Sequence, residues 1–322
     1  MSPREPAAPA GAGRRTLVNA LGAGWRGALM GAADVVPGVS GGTMALVLGV
    51  YPRLLTALAS WTRPPLWMAV RRRRWRLAWR TVDGTFMAGL VLGIAASVIA
   101  LAGLIEAALL AHRPLVYAAF LGLVVASVPV VAAQVRRWRV TEAAALVGAA
   151  LAATLLVGLA PIVTPTATWF LALSGAIGIC ALILPGVSGA FLLVLLGQYE
   201  TVLGAIARGD LGTLLPFALG AGVGLLAFAR LLSAWLRRHP APTHAALAGF
   251  LLGSLRRLWP WQAEGADRLA PVAPPDATAA AIGLALALLG AAAVLGLHLW
   301  GRRTAQRAAR RAAGLPEAPP AG

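Results

Sequence analysis

Two apolar stretches of this chain are interrupted by the same pentapeptide. Pro37-Gly38-Val39-Ser40-Gly41 breaks the region of about 17–60, and Pro185-Gly186-Val187-Ser188-Gly189 breaks that of about 168–206. Proline withholds a backbone donor and glycine admits non-helical dihedrals, so neither region can run through as one straight helix. The arms beside each break are shorter than the roughly 20 apolar residues that a spanning helix needs. Short paired arms around such a break read as re-entrant hairpins, which return to the side of the membrane they came from.

A bilayer is the only solvent that suits the rest of the chain. Hydrophobic residues make up 59% of the 322, charged residues 12%, and mean hydropathy is +0.77. A soluble domain carries about 25% charged residues. Six further segments are apolar enough to span: Phe86–Leu110, Leu115–Val135, Ala143–Val163, Leu214–Leu236, a short one at Thr243–Leu258, and Ala277–Trp300. Residues 1–15 and 301–322 are polar, Pro/Ala-rich and basic, and read as cytoplasmic tails. The start of the chain has no clean apolar core ending in a cleavage site, so it does not read as a secretory signal.

The two hairpins are copies. From Pro37 to Tyr51 and from Pro185 to Tyr199, eight of fifteen positions are identical at a constant offset of 148. Downstream, His112, Ala118, Ala119, Gly122 and Ser127 match His239, Ala245, Ala246, Gly249 and Ser254 at an offset of 127. Two echoes in the same order indicate an internal duplication, with the first repeat over 16–163 and the second over 164–300. Each repeat holds one hairpin and three spans. Three spans change sides, so the second repeat starts on the opposite face and the repeats are inverted. The fold class expected is therefore an all-α polytopic membrane protein built from two inverted repeats.

Charge orients it. All 28 basic residues are Arg, against 11 acidic residues, for a net charge of +17. The absence of Lys excludes a P-loop lysine and a Schiff-base lysine. The Arg residues sit in short runs between apolar segments, the pattern of topology signals rather than of a nucleic-acid surface. With both termini in the cytoplasm, 20 Arg fall inside and 5 outside. Arg256 and Arg257 fit this poorly, beside a short span. The Arg71–Arg80 run reads as a topology determinant that also attracts anionic membrane lipids. The lone Cys180 cannot form an intrachain disulfide, and the four His residues show no metal-ligand spacing, so neither a metal nor a cofactor is expected.

The hairpin tips carry the chemistry. Backbone N–H groups at the start of a returning half-helix, with its positive dipole end, attract anions. Pro37, Gly38, Gly41, Gly42, Gly186 and Gly189 allow close approach, while Ser40, Thr43 and Ser188 add hydroxyl donors. The bland alternative is that these small residues serve helix packing. Arg26 and Arg53 flank the first hairpin and are suited to a phosphate, or serve simply as interface residues. Asp34 sits three residues before the first break, where the second repeat has Leu182. It either carries a coupling proton, pairs Arg26 or Arg53, or caps the tip. Tyr51 and Tyr199 read as interface anchors, Glu106 as interfacial, and Arg230 as snorkelling toward Arg237–Arg238.

Three segments resemble one family. Ala33-Asp34-Val-Val-Pro37-Gly-Val-Ser-Gly-Gly42-Thr43 through Tyr51 is similar to the first signature of the polyprenyl-phosphate transporter (PopT) family. Leu184–Gly189 through Tyr199 resembles its second, and Gly249–Pro260 its third. The resemblance covers about residues 20–300. It implies a bacterial inner-membrane protein, not an enzyme, that returns undecaprenyl phosphate from the outer to the inner leaflet for envelope synthesis. The residues alone reach only a transporter of an anion or anionic lipid. Two alternatives use the same architecture: an intramembrane polyprenyl-pyrophosphate phosphatase with Ser40 or Ser188 as nucleophile, and a small-anion channel or exchanger.

Overall fold

The computed structural model describes residues 12–35, 40–159, 164–165, 167–263 and 270–312, with side chains described outside 12–18, 102, 207 and 304–312. Among these residues the chain is helical, with one isolated β-bridge between Gln262 and Pro271. The helices are α1 (Ala12–Asp34), α2 (Gly41–Val47), α3 (Tyr51–Ser60), α4 (Pro64–Arg71), α5 (Trp75–Thr81), α6 (Gly84–Ala132), α7 (Val140–Val157), α8 (Thr168–Ile183), α9 (Gly189–Leu195), α10 (Tyr199–Arg208), α11 (Leu211–Arg238), α12 (Pro240–Leu258) and α13 (Ala277–Ala312). Helix thus reaches into both segments that composition assigns to tails.

Each predicted hairpin has two breaks rather than one. In the second repeat Pro185–Ser188 separates α8 from the seven-residue α9; in the first, residues 36–39 lie outside the described residues, and the seven-residue α2 starts after Ser40. A second sharp bend follows at Leu-Gly-x-Tyr. There α2 and α3 meet at 117°, and α9 and α10 at 113°. Gly49 and Gly197 take φ of +69° and +63° at these corners, a region that a Cβ makes costly.

Five helical stretches among the described residues are long and apolar enough to cross a membrane, or seven if each bent pair counts as one. The chain is a multi-pass membrane protein. Of the six predicted spans, Thr243–Leu258 is the exception. Its helix, α12, buries ten of nineteen residues, among them Thr243, His244 and Ser254. It lies inside the bundle against α6 and α7, which removes the need for an apolar surface. The predicted pair Phe86–Leu110 and Leu115–Val135 forms the two helical arms of α6, separated by a kink at His112, which leaves helical geometry at φ −143° and ψ 50°. His239, its echo, makes the matching turn between α11 and α12 at φ −133° and ψ 62°.

Packing is duplicated as well. Gly27 and Gly31 of α1 lie against Leu90 and Ile94 of α6, and Gly175 of α8 lies against Phe217 of α11. Gly249 and Gly253 of α12 meet Leu146 and Ala150 of α7, while Gly122 of α6 meets Ala287 of α13. Small residues let helix backbones approach where lipid supplies no hydrophobic drive. The last helix of each half therefore packs on the other half, so the two halves interlock. The end of α3 and the helices α4 and α5 hold Trp61, Trp67, Trp75 and Trp79 exposed around an apolar groove, beside the Arg71–Arg74 run. Exposed Trp and Arg together suit the membrane–water interface.

Candidate functional site

The three sequence signatures meet at one seam. Ser40, 1% exposed, caps α2 by accepting from the Gly42 N–H at 3.1 Å, and its hydroxyl donates to the Leu182 carbonyl at 3.0 Å. Thr43 accepts from the Gly186 N–H at 3.2 Å. Tyr51 donates to the Ile183 carbonyl at 3.1 Å. It is fully buried, so it is not the interface anchor that its aromatic ring suggests; its hydroxyl ties the first corner to the end of α8. Gly186 in turn sits against Ser254 of α12, in the third signature, where an added Cβ would lie 2.6 Å from the hydroxyl oxygen.

The predicted site residues at the tips divide by role. Ser40, Gly42, Thr43 and Gly186 form the seam itself. Ser188 caps α9 by accepting from the Phe191 N–H at 3.4 Å. Gly189 packs on the Gly178 carbonyl, within its own hairpin. Gly41 donates its N–H to Asp34 Oδ1 at 2.5 Å. Pro37 and Gly38 lie outside the described residues. The Ser40 hydroxyl and the N–H groups of Gly41, Gly42 and Gly186 are thus spent on neighbouring groups in this conformation.

Asp34 is a cap, one of its three sequence-level readings. Its proposed ion pair with Arg26 or Arg53 is not formed. Arg53 instead grips Asp83 through two contacts of 2.6 and 3.0 Å. Arg26 donates to the Gly22 carbonyl at 2.5 Å and lies over the Trp25 ring. Arg230 reaches Thr62 at 3.4 Å rather than the Arg237–Arg238 end.

Arg26 and Arg53 do converge. With Arg302, Asn19, Gln134 and His298 they line a cavity of about 680 Å³ whose floor is the α2–α3 corner, Leu46–Val50. That volume is in the range of small-molecule sites. Arg53 lies 4.1 Å over the Phe86 ring, and the buried Arg26 Nε has no hydrogen-bond partner among the described residues. Guanidinium groups lining a cavity are suited to an oxyanion, which accepts from the planar fork in pairs. Arg302 and the other polar lining groups were missed at the sequence level, since nothing local ties residue 302 to residues 26 and 53.

Comparison with known proteins agrees with the signatures. The family model of VCA0040-like, undecaprenyl phosphate translocase-like proteins matches residues 30–271. A polyprenyl-phosphate transporter of Vibrio cholerae is 38% identical over 245 residues, covering 76% of this chain and 79% of that one. A polyprenyl-phosphate transporter of Staphylococcus aureus is 28% identical over 254 residues, covering 73% and 84%. No solved structure matches the chain.

Proposed function

The chain belongs to the VCA0040-like, undecaprenyl phosphate translocase-like family, and on that premise we propose that it carries a polyprenyl phosphate across the cytoplasmic membrane of a bacterium, from outer to inner leaflet. The observation that supports this reading best is the cavity of Arg26, Arg53 and Arg302 set against the tip seam. The guanidinium groups take the phosphate, and the seam opens to admit it. Parting the tips frees Ser40, Thr43 and the Gly186 N–H for the headgroup, which also competes for the local caps at Ser188 and at the Gly41 and Gly42 N–H groups, while the prenyl tail stays in lipid. Pro37, Gly38 and Gly189 let the backbone come close. The carrier lipid then re-enters envelope synthesis on the cytoplasmic side.

Ser40 donates its proton to a backbone carbonyl, which cannot serve as a base. That supports a carrier over a phosphatase, since a serine nucleophile needs a base within reach. In cells, depletion of the protein should raise polyprenyl phosphate in the outer leaflet, read with an impermeant phosphate-lipid probe. An unchanged outer-leaflet pool would refute the direction.

The topology we propose is both termini inside, with inverted repeats. A cysteine placed in the Val163–Thr168 loop should react with an impermeant thiol reagent from outside the cell. Labelling from the cytoplasm alone would overturn the inversion.

An anion moved inward works against a negative interior, at about 2.3 kcal/mol per charge per 100 mV. Proton uptake with the lipid offsets this, and Asp34 is the acid at the seam. Asn at this position keeps the acceptor for the Gly41 N–H, so Asp34→Asn should fold and bind lipid but lose the pH dependence of transport. Asp34→Ala, which also removes the cap, should cost about a further 1 kcal/mol of stability. A wild-type pH profile in Asp34→Asn at matched expression would leave Asp34 as a cap only.

A further inference from the structure

A second Arg-lined cavity lies at the His112 break of α6. Phe86 lines the first cavity and Glu106 the second, twenty residues on, which is about 30 Å of helix or one hydrocarbon thickness. The second cavity, of about 480 Å³, is lined by Glu106, Leu110, Arg113, Tyr117 and Arg257, with Val35 bringing the first tip's approach into its wall. Its Arg residues are placed by helix ends. The His112 break starts the returning arm of α6 at Arg113, and α12 ends on Arg257 and Leu258.

Arg113 lies 5.3 Å over the Tyr117 ring and Arg257 5.0 Å over Phe191. Among the described residues, no carboxylate forms an ion pair with either. The two Arg residues repel one another across the cavity. Glu106 is exposed on its rim, the one carboxylate among the described lining residues. Two like charges held together and partly withdrawn from water are costly, and a visiting dianion reverses the cost. The 127-residue echo places Pro240 opposite Arg113 and Val130 opposite Arg257, so the pair is not a by-product of the duplication. The rim is open to lipid at Leu110, which is 84% exposed.

We propose that Arg113 and Arg257 form a capture site for the phosphate monoester headgroup of a lipid, on the face opposite Arg26 and Arg53, with the tail leaving over Leu110. The site rests on the transport reading above and gives it an entrance. It also accounts for Arg256–Arg257, the pair that charge topology alone fits poorly: Arg257 is there to bind, not to orient the chain.

The test uses the full chain with Cys180→Ala and Leu109→Cys, in right-side-out membrane vesicles, with an impermeant maleimide as the probe of the cavity. Added polyprenyl phosphate should slow labelling at least tenfold. Unphosphorylated polyprenol and inorganic phosphate at the same concentration should not. Arg113→Gln with Arg257→Gln should weaken the protection at least tenfold, whereas Arg113→Lys with Arg257→Lys should keep part of it. Melting curves check folding, and the exposed Arg113→Gln alone serves if the double variant is unstable. Transport is read in the same vesicles. No protection with transport intact overturns the capture site and leaves the carrier reading standing. Protection without transport keeps the site and removes the carrier. Equal protection by inorganic phosphate assigns the cavity to free anions, and equal protection by polyprenol removes the role of charge; either overturns the proposal.

Discussion

Gly42→Ala is expected to abolish transport and to destabilise the protein by about 3 kcal/mol or more. The added Cβ would lie 2.6 Å from the Ile183 carbonyl oxygen and 3.2 Å from that of Leu182. Both are backbone groups, so α2 and the end of α8 must separate. Those same carbonyls accept from Tyr51 and Ser40, and the neighbouring Thr43–Gly186 bond spans the same gap. Overpacking costs about 1–3 kcal/mol and each neutral hydrogen bond about 0.5–1.5. A melting temperature several degrees lower, with lost transport, is the expected pair of readings. Wild-type stability and transport in Gly42→Ala would mean that the seam is loose and that its hydrogen bonds do not hold the closed form.

Arg26→Gln combined with Arg53→Gln is expected to reduce transport by a hundredfold or more at nearly unchanged stability. Each hydrogen bond to a charged phosphate is worth about 1.5–3 kcal/mol, roughly tenfold to over a hundredfold in affinity. The folding cost is small because the Arg53–Asp83 pair is surface-exposed, with side chains 49% and 36% accessible, and such pairs contribute about 0–1 kcal/mol. Concentration dependence of transport separates the contributions. The half-saturating lipid concentration should rise first in each single variant. A double variant that transports like wild type would remove the cavity from the pathway.

Much of this arrangement is written locally. Pro, Gly and a capping Ser specify a helix break wherever they fall, so both tips are legible, and their repetition exposes the duplication. His112 and His239 mark the turns of the same duplication, yet their geometry emerges only in the fold. What stays hidden is long-range. Apolarity alone cannot tell a lipid-facing helix from one enclosed by others, so α12 reads as a short span although it is walled in by α6 and α7. A Tyr near a predicted interface looks like an anchor until the end of α8 is seen to supply an acceptor for its hydroxyl. Arg257 looks like an orientation signal gone wrong because its partner, Arg113, lies 144 positions away. The Pro-Gly-Val-Ser-Gly motif is read as the apex of a hairpin, and in the second repeat α9 does fold back on α8 there, with Gly189 against Gly178; the further bends at Gly49 and Gly197, where positive φ is needed, are not read from the sequence.

The proposed function requires this chain alone to move a phosphate-headed prenyl lipid between leaflets. The most direct measurement reconstitutes the purified protein into unilamellar vesicles carrying polyprenyl phosphate. The fraction of that lipid open to an impermeant phosphatase added outside is then followed over time. Protein-free vesicles should stop near the half that starts in the outer leaflet, while vesicles with the protein should run to near completion. Gly42→Ala vesicles should stop with the protein-free ones. A plateau at half in vesicles holding folded wild-type protein would contradict the account.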